Sequence, residues 1–214
     1  PTISEYDFDM QLKELQQLEE THPEFAAQDS PTKRVGGEVI KDFNTVKHKH
    51  PMLSLSNSYS KEEIQDFETR IKKLVENELE YTCELKYDGV AIGITYKDGK
   101  LNQALTRGDG VQGDDVTANV KTIRSIPLQL KGSNYPTEFE IRGEIFFPRD
   151  VFEKLNEKRA AEGEDLYANA RNTASGTLKM QDSAQVAERR LDSFLYFVLG
   201  EGCLLYTSDA ADEG

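Results

Sequence analysis

Between residues 81 and 147 apolar residues recur at every second position in "YTCELKY", "VAIGITYK" and "TEFEIRGEIFF", with "LNQALTRG" a further strand-like run, and Asp-Gly or Gly-Ser pairs lie between the runs. A period of two is the mark of strands that bury one face, and such turn pairs join antiparallel neighbours. This pattern constrains the fold more than any other feature of the chain: it demands an antiparallel sheet with one packed face. One helix is expected inside the region, from about Asp114 to Ile123. Another should follow Pro148 and Arg149 with Val151, Phe152 and Leu155 facing inward, after which "LDSFLYFVLG" should return as a buried strand. The fold class is therefore α+β.

Upstream the period changes. Ser4 and Asp7 stand in capping-box spacing ahead of Phe8, Leu12, Leu15 and Leu18, which predicts an amphipathic helix over residues 4 to 21 ending near Pro23. The stretch "PEFAAQDSPTKRVGGEV" has two prolines, paired glycines and little periodicity, and reads as a linker or long loop. A second capping box, Ser60 to Glu63, opens a helix carrying Ile64, Phe67, Ile71 and Leu74.

With 214 residues, 37% of them hydrophobic, the chain can bury one substantial core and a small accessory unit. It holds no apolar run of the roughly 18 residues a membrane span needs, and no apolar leader opens it, so a cytosolic protein without membrane association is expected. Cys83 and Cys203 lack metal-site spacing and are expected to be reduced. The formal net charge of -13 argues against nucleic-acid binding, since phosphate backbones are gripped by surplus Lys and Arg, although binding depends on one face and not on the average.

Charge interrupts the strand pattern in "CELKYDGVAIG". Alternation puts Glu84, Lys86 and Asp88 on one face and Cys83, Leu85 and Tyr87 on the other. A salt-bridged exposed strand face leading into an Asp-Gly turn accounts for a lone Lys-x-Asp-Gly. The chemical alternative is a lysine nucleophile toward phosphorus, which must lose its proton and so needs further positive charge nearby. Arg107 in the Gly-rich "TRGDGVQGDD" could supply it, and Gly108, Gly110 and Gly113 would let backbone approach a ligand. In "FEIRGEIFF", Glu140, Arg142 and Glu144 share a face opposite Phe139, Ile141 and Ile145, so two charged strand faces point to a pocket between them. The letters Lys97, Asp98 and Gly99 in "YKDGK" repeat the motif but read as a hairpin turn.

Taken together and in order, "ELKYDGVA", "TRGDGVQGDDVTANVKTIRSIPL", "EIRGEIFFP" and "ARNTASGTLK" resemble the adenylation domain of bacterial NAD-dependent DNA ligases, and "SEYDFDMQLKEL", "SPTKRVGG" and "HPMLSLSN" extend the resemblance upstream to cover residues 1 to about 202. It implies an antiparallel-sheet nucleotidyltransferase fold, ATP-grasp-like, over residues 37–202, preceded by a partial helical NAD-specific accessory subdomain and linker over residues 1–36. By that resemblance Lys86 attacks the α-phosphate of NAD, expels nicotinamide mononucleotide and becomes a lysyl-adenylate, with Asp88 assisting. Glu84 would read the adenine amine, Arg107 would hold ribose and phosphate, Glu144 would bind the ribose hydroxyls, and Ser54 and Leu55 would line the adenosine site. Tyr6 and Asp7 would contact the nicotinamide end, and Arg171 and Lys179 would meet DNA phosphates. Mg or Mn is implied as the cation at the transferring phosphate, and nicked double-stranded DNA as the partner of a monomeric bacterial cytoplasmic enzyme of replication and repair.

The resemblance also has gaps. Lys179 stands where some members carry arginine, and Ala170 replaces a proline often found before Arg171. The family's Tyr-His pair upstream of the first helix, the Asp-Gly-Val-Val-x-Lys segment and later lysine motif, and the oligonucleotide-binding, four-cysteine zinc, helix-hairpin-helix and BRCT units are not in this sequence, so the piece as written is expected not to seal nicks, and zinc would belong only to the absent part. Residues 203–214, "CLLYTSDAADEG", resemble the translation of a transposon sequencing adapter and are read as not natural, the other reading being an acidic terminus. Excluding them removes Cys203, Asp209, Asp212 and Glu213 from the count. An RNA ligase or capping-type nucleotidyltransferase would share the lysine chemistry, and a non-catalytic nucleotide-binding remnant would bind without a covalent adduct.

Overall fold

The computed structural model describes residues 5–27, 30–33 and 42–200. Its first element, α1 (Glu5–Thr21), packs against two short 3-10 turns, Pro23–Phe25 and Pro31–Lys33. Leu12 and Leu15 of α1 are half-buried, while Leu18 is exposed. The expected Ser4 cap, the end of the expected linker and the 203–214 tail lie outside the described residues.

The central sheet has four antiparallel strands in the order β3-β2-β5-β6, formed by β2 (Val90–Lys97), β3 (Lys100–Thr106), β5 (Glu138–Phe146) and β6 (Asp192–Leu199). A two-stranded ribbon of β1 (Thr45–Lys47) and β4 (Gln112–Asp114) stands beside it. The predicted hairpin at Asp98-Gly99 is present, and both residues have positive φ (49° and 74°), as a two-residue turn matched to strand twist requires.

One face of this sheet carries the core. Ile92, Ile94 and Tyr96 of β2 and Ile145 of β5 are buried with Val116, Val120, Ile123, Ala174, Leu178 and Val186, contributed by α3 (Thr117–Val120), α5 (Ala170–Leu178), α6 (Ser183–Glu188) and the residues around them. Burying each such side chain is worth roughly 1.5–3 kcal/mol, so alternation on β2 alone fixes which face the helices cover. Val151, Phe152 and Leu155 of α4 (Arg149–Ala161) pack against the same core, as expected. α2 (Lys61–Lys72) starts at Ser60, whose hydroxyl accepts from the Glu63 amide at 3.2 Å, while the Glu63 carboxylate reaches one residue further back, to the Tyr59 amide at 2.6 Å.

Three expectations need correction. Residues 81 to 88 form no strand: Cys83 and Leu85 are exposed, and β2 begins only at Val90. Val90 pairs with Ile145, and β5 gives way after Phe146 to Pro148 and α4, so the alternating residues further upstream have no neighbour for their ladder bonds. "LDSFLYFVLG" is not a buried strand, because β6 pairs only with β5 among the described residues and leaves Phe194, Tyr196 and Phe197 exposed. The helix expected over 114–123 contracts to α3, since Asp114 belongs to β4 and Asp115 bridges to Leu105. Among the described residues no helix is long and apolar enough to cross a membrane.

Candidate functional site

The face of the sheet opposite the core carries the charges. Ala91, Gly93 and Thr95 of β2 stand opposite Glu144, Arg142 and Glu140 of β5, so short side chains on one strand leave space for long ones on the next. A Cβ on Gly93 would lie 2.9 Å from Glu140 Oε1. Over this face runs an extended strap, residues 48–55. Its edge is bonded to the Gly-rich loop, with the His48 amide donating to Val111 O (2.9 Å), the Met52 amide to Gly110 O (2.8 Å), and His48 Nε2 lying 3.0 Å from Arg107 O. Arg142 ties the strap to the sheet: Nη1 donates to Pro51 O at 3.0 Å, Nη2 to His50 O at 2.6 Å, and Nε to Glu140 Oε1 at 2.7 Å. The strap presents Ser54, whose hydroxyl accepts from Arg107 Nη1 at 3.1 Å, and Leu55, which is exposed.

At one end of the face a second group assembles around Glu144. Its half-buried carboxyl is pushed above the ordinary carboxylate range by burial, and is held back by the positive charges of Lys86 and Arg171, by the Gly89 amide and by the Tyr196 hydroxyl, 3.5 Å away. Arg171 also reaches Asp88, Nη1 to Oδ1 at 3.4 Å. Gly89 is required where it is, because a Cβ there would lie 2.3 Å from Ile145 O and 2.9 Å from Glu144 Cγ. Between Lys86 and Asp88 the chain is anchored by Tyr87, whose ring stacks on Phe194 with centroids 4.0 Å apart, and Phe194 stacks in turn on Phe146. The exposed segment 82–88 is thus held by one aromatic anchor and the Asp88–Arg171 pair instead of by a strand ladder.

The structure therefore brings Lys86, Asp88, Glu144 and Arg171 together, and pairs Arg107 with Ser54. Arg171 stands in the first turn of α5, which Asn169 caps by accepting from the Asn172 amide at 2.9 Å. Ala170 takes the first helical position, where proline would be equally admissible, and the cap is intact without it. Lys179 ends the same helix and pairs with Asp114 at 2.7 Å; eight residues separate it from Arg171, about 12 Å along the axis, so the two do not share a cluster. Glu84 is exposed two residues before Lys86, and Tyr6 and Asp7 stand in the first turn of α1, which packs on the turns that follow it. Lys97 lies at the far end of β2 and pairs with Glu138 at 3.3 Å. Among the described residues no group of three His, Cys, Asp or Glu side chains could hold a metal ion.

Sequence reasoning missed Tyr196, the Tyr87-Phe194-Phe146 stack and the clamp made by Arg142. Alternation placed Arg142 on the correct face, but its partners are backbone carbonyls more than 90 residues away, which no local pattern encodes.

Residues 40–210 match the model of the NAD-dependent DNA ligase adenylation domain, and residues 1–36 match that of the DNA ligase-like N-terminal NAD+-binding domain. The chain is 61% identical over 200 residues to a DNA ligase of Flavobacterium johnsoniae, covering 93% of this chain and 30% of that protein. It is 59% identical over 201 residues to one of Christiangramia forsetii, covering 94% and 30%. It thus spans about 30% of the length of these curated relatives. With the adenylation-domain match running through both the strap and the Glu144 cluster, the chain belongs to the NAD-dependent DNA ligase family.

Proposed function

We propose that this chain is the nucleotide-activating part of a nick-sealing enzyme, with Lys86 as nucleophile. The gathering of Lys86, Asp88, Arg171 and Glu144 at one end of a charged, strap-covered sheet face carries this reading. The deprotonated Lys86 Nζ attacks the α-phosphorus of NAD on its adenosine side. A P–N bond forms, the pyrophosphate P–O bond breaks, and nicotinamide mononucleotide departs with the bonding electrons. Arg171 and Arg107 offer charge to the phosphate oxygens, Glu144 accepts from the ribose hydroxyls, and Ser54, Leu55 and Glu84 surround the adenosine. Asp88, paired with Arg171 at 3.4 Å, holds that guanidinium beside the lysine before substrate arrives. A divalent Mg or Mn would come bound to the pyrophosphate, with Asp88 and Glu144 as the nearby carboxylates, and would supply charge neutralisation there.

The adenylyl group then passes from Lys86 to a 5′-phosphate at a DNA nick, and the 3′-hydroxyl displaces AMP to close the backbone. Lys179, at the other end of α5, would contact DNA away from the nucleotide. Tyr6 and Asp7, on the unit formed by residues 1–36, would receive the nicotinamide end, and residues 37–202 would form the nucleotidyltransferase domain, ATP-grasp-like in its strand arrangement, of a monomeric cytoplasmic enzyme.

The test incubates the full-length protein with NAD labelled in its adenylate. A denaturation-stable AMP adduct, dependent on Lys86 and chased onto nicked duplex DNA, is expected. Stronger labelling by ATP or GTP would replace the reading with an RNA-directed nucleotidyltransferase, and reversible binding without adduct with a non-catalytic module.

A further inference from the structure

We infer that Arg142 is a positioning residue that sets NAD affinity by fastening the 48–55 strap over the nucleotide face. The inference rests on the proposed nucleotide site and extends it to a residue that acts through backbone. Arg142 and Glu140 are both nearly enclosed, their side chains only 14% and 11% exposed, and their 2.7 Å ion pair leaves the two terminal nitrogens of the guanidinium free to face the strap. Those nitrogens donate to two consecutive carbonyls, of His50 and Pro51. A planar fork of fixed geometry suits two adjacent acceptors and one carboxylate at once, which a lysine ammonium does not.

The strap has few other ties to the sheet. Among the described residues its own amides bond only sideways, from His48 and Met52 to the Gly-rich loop. Downward it is held by Arg142, by the buried Met52, whose Sδ would lie 3.6 Å from a Cβ on Gly93, and by an exposed ion pair at its start, Lys49 to Glu138 of β5 at 3.5 Å, where solvent screening leaves little holding power. Gly93 is part of the same device, since its missing side chain leaves room for both Glu140 Oε1 and Met52. Ser54, two residues beyond Met52, carries the hydroxyl that orients Arg107. A strap released from Arg142 would present Ser54 and Leu55 correctly in only a fraction of molecules, and apparent affinity falls by that fraction.

The test uses the full-length ligase and follows transfer of AMP from NAD to Lys86 in Arg142→Gln, Arg142→Lys and Gly93→Ala. Losing two charge-assisted hydrogen bonds predicts a KM for NAD about tenfold higher in Arg142→Gln, with the rate at saturating NAD within about twofold of the parent. Arg142→Lys should recover only part of the loss, and Gly93→Ala, which displaces Glu140, should raise KM in the same direction with its backbone unstrained. A purely structural role would lower the active fraction, and with it the maximal rate, at unchanged KM; that result overturns the inference. If Arg142→Gln does not fold, Gly93→Ala decides alone, and an unchanged KM there also overturns it. A parent protein that forms no AMP adduct refutes the functional reading itself, and the inference with it.

Discussion

Asn119 offers the sharpest test of how the site is held. It is fully buried in α3, and its Nδ2 donates to two carbonyls, that of Leu178, the last residue of α5, and that of Met180 just beyond the helix, each at 2.8 Å. Helices leave their last carbonyls without internal partners, so this one amide completes the C-terminus of the helix whose first turn carries Arg171. Replacement by alanine strands both acceptors. The Leu178 carbonyl belongs to a fully buried residue, whereas Met180 is half-buried and its carbonyl is partly rehydrated. A stranded buried acceptor costs about 1–3 kcal/mol, and removal of the Asn119 Oδ1, which has no partner among the described residues, returns a little. The expected loss is about 3 kcal/mol, read as a fall in the urea midpoint at unchanged slope. Asn119→Leu keeps the volume without the donors and should lose nearly as much. A loss below about 1 kcal/mol for Asn119→Ala, or recovery in Asn119→Leu, would show that packing and not the paired carbonyls matters there.

Three further outcomes are expected. Lys86→Ala abolishes the AMP adduct while Lys97→Ala, in a turn-flanking lysine paired with Glu138, leaves it intact; equal loss from both would contradict the assignment. Gly89→Ala forces backbone apart at Ile145 O, with a stability loss of about 2 kcal/mol in urea unfolding, and a variant as stable as the parent would refute the close approach. The Glu144 carboxyl, already raised by burial, moves further up in Lys86→Met, because one of the two cations holding it down is gone, and carbon-detected NMR titration should show this directly. Its sign for folding follows: an acid raised in the folded state imposes a penalty that grows as pH climbs from the ordinary carboxylate range through the folded value, so Lys86→Met widens the window over which stability falls with rising pH. A downward movement of that carboxyl would refute the Lys86–Glu144 proximity.

The sequence by itself determined the antiparallel sheet, its buried face, the Asp98-Gly99 turn and the placing of Glu140, Arg142 and Glu144 on one side of β5, because alternation and turn chemistry are written in neighbouring residues. Its ordered motifs also identified the family. Tertiary structure decided what depends on partners distant in the chain. The row Glu84, Lys86, Asp88 alternates as a strand does, yet β5 bends into Pro148 and α4 before it can pair with that row, so the lysine rides on an irregular segment held by Tyr87 stacking and by Arg171. The same holds for the strap, whose carbonyls meet Arg142 only when two strands and a loop have docked. A side chain's face is a local property, but its partner is set by which backbone groups the fold leaves unpaired beside it.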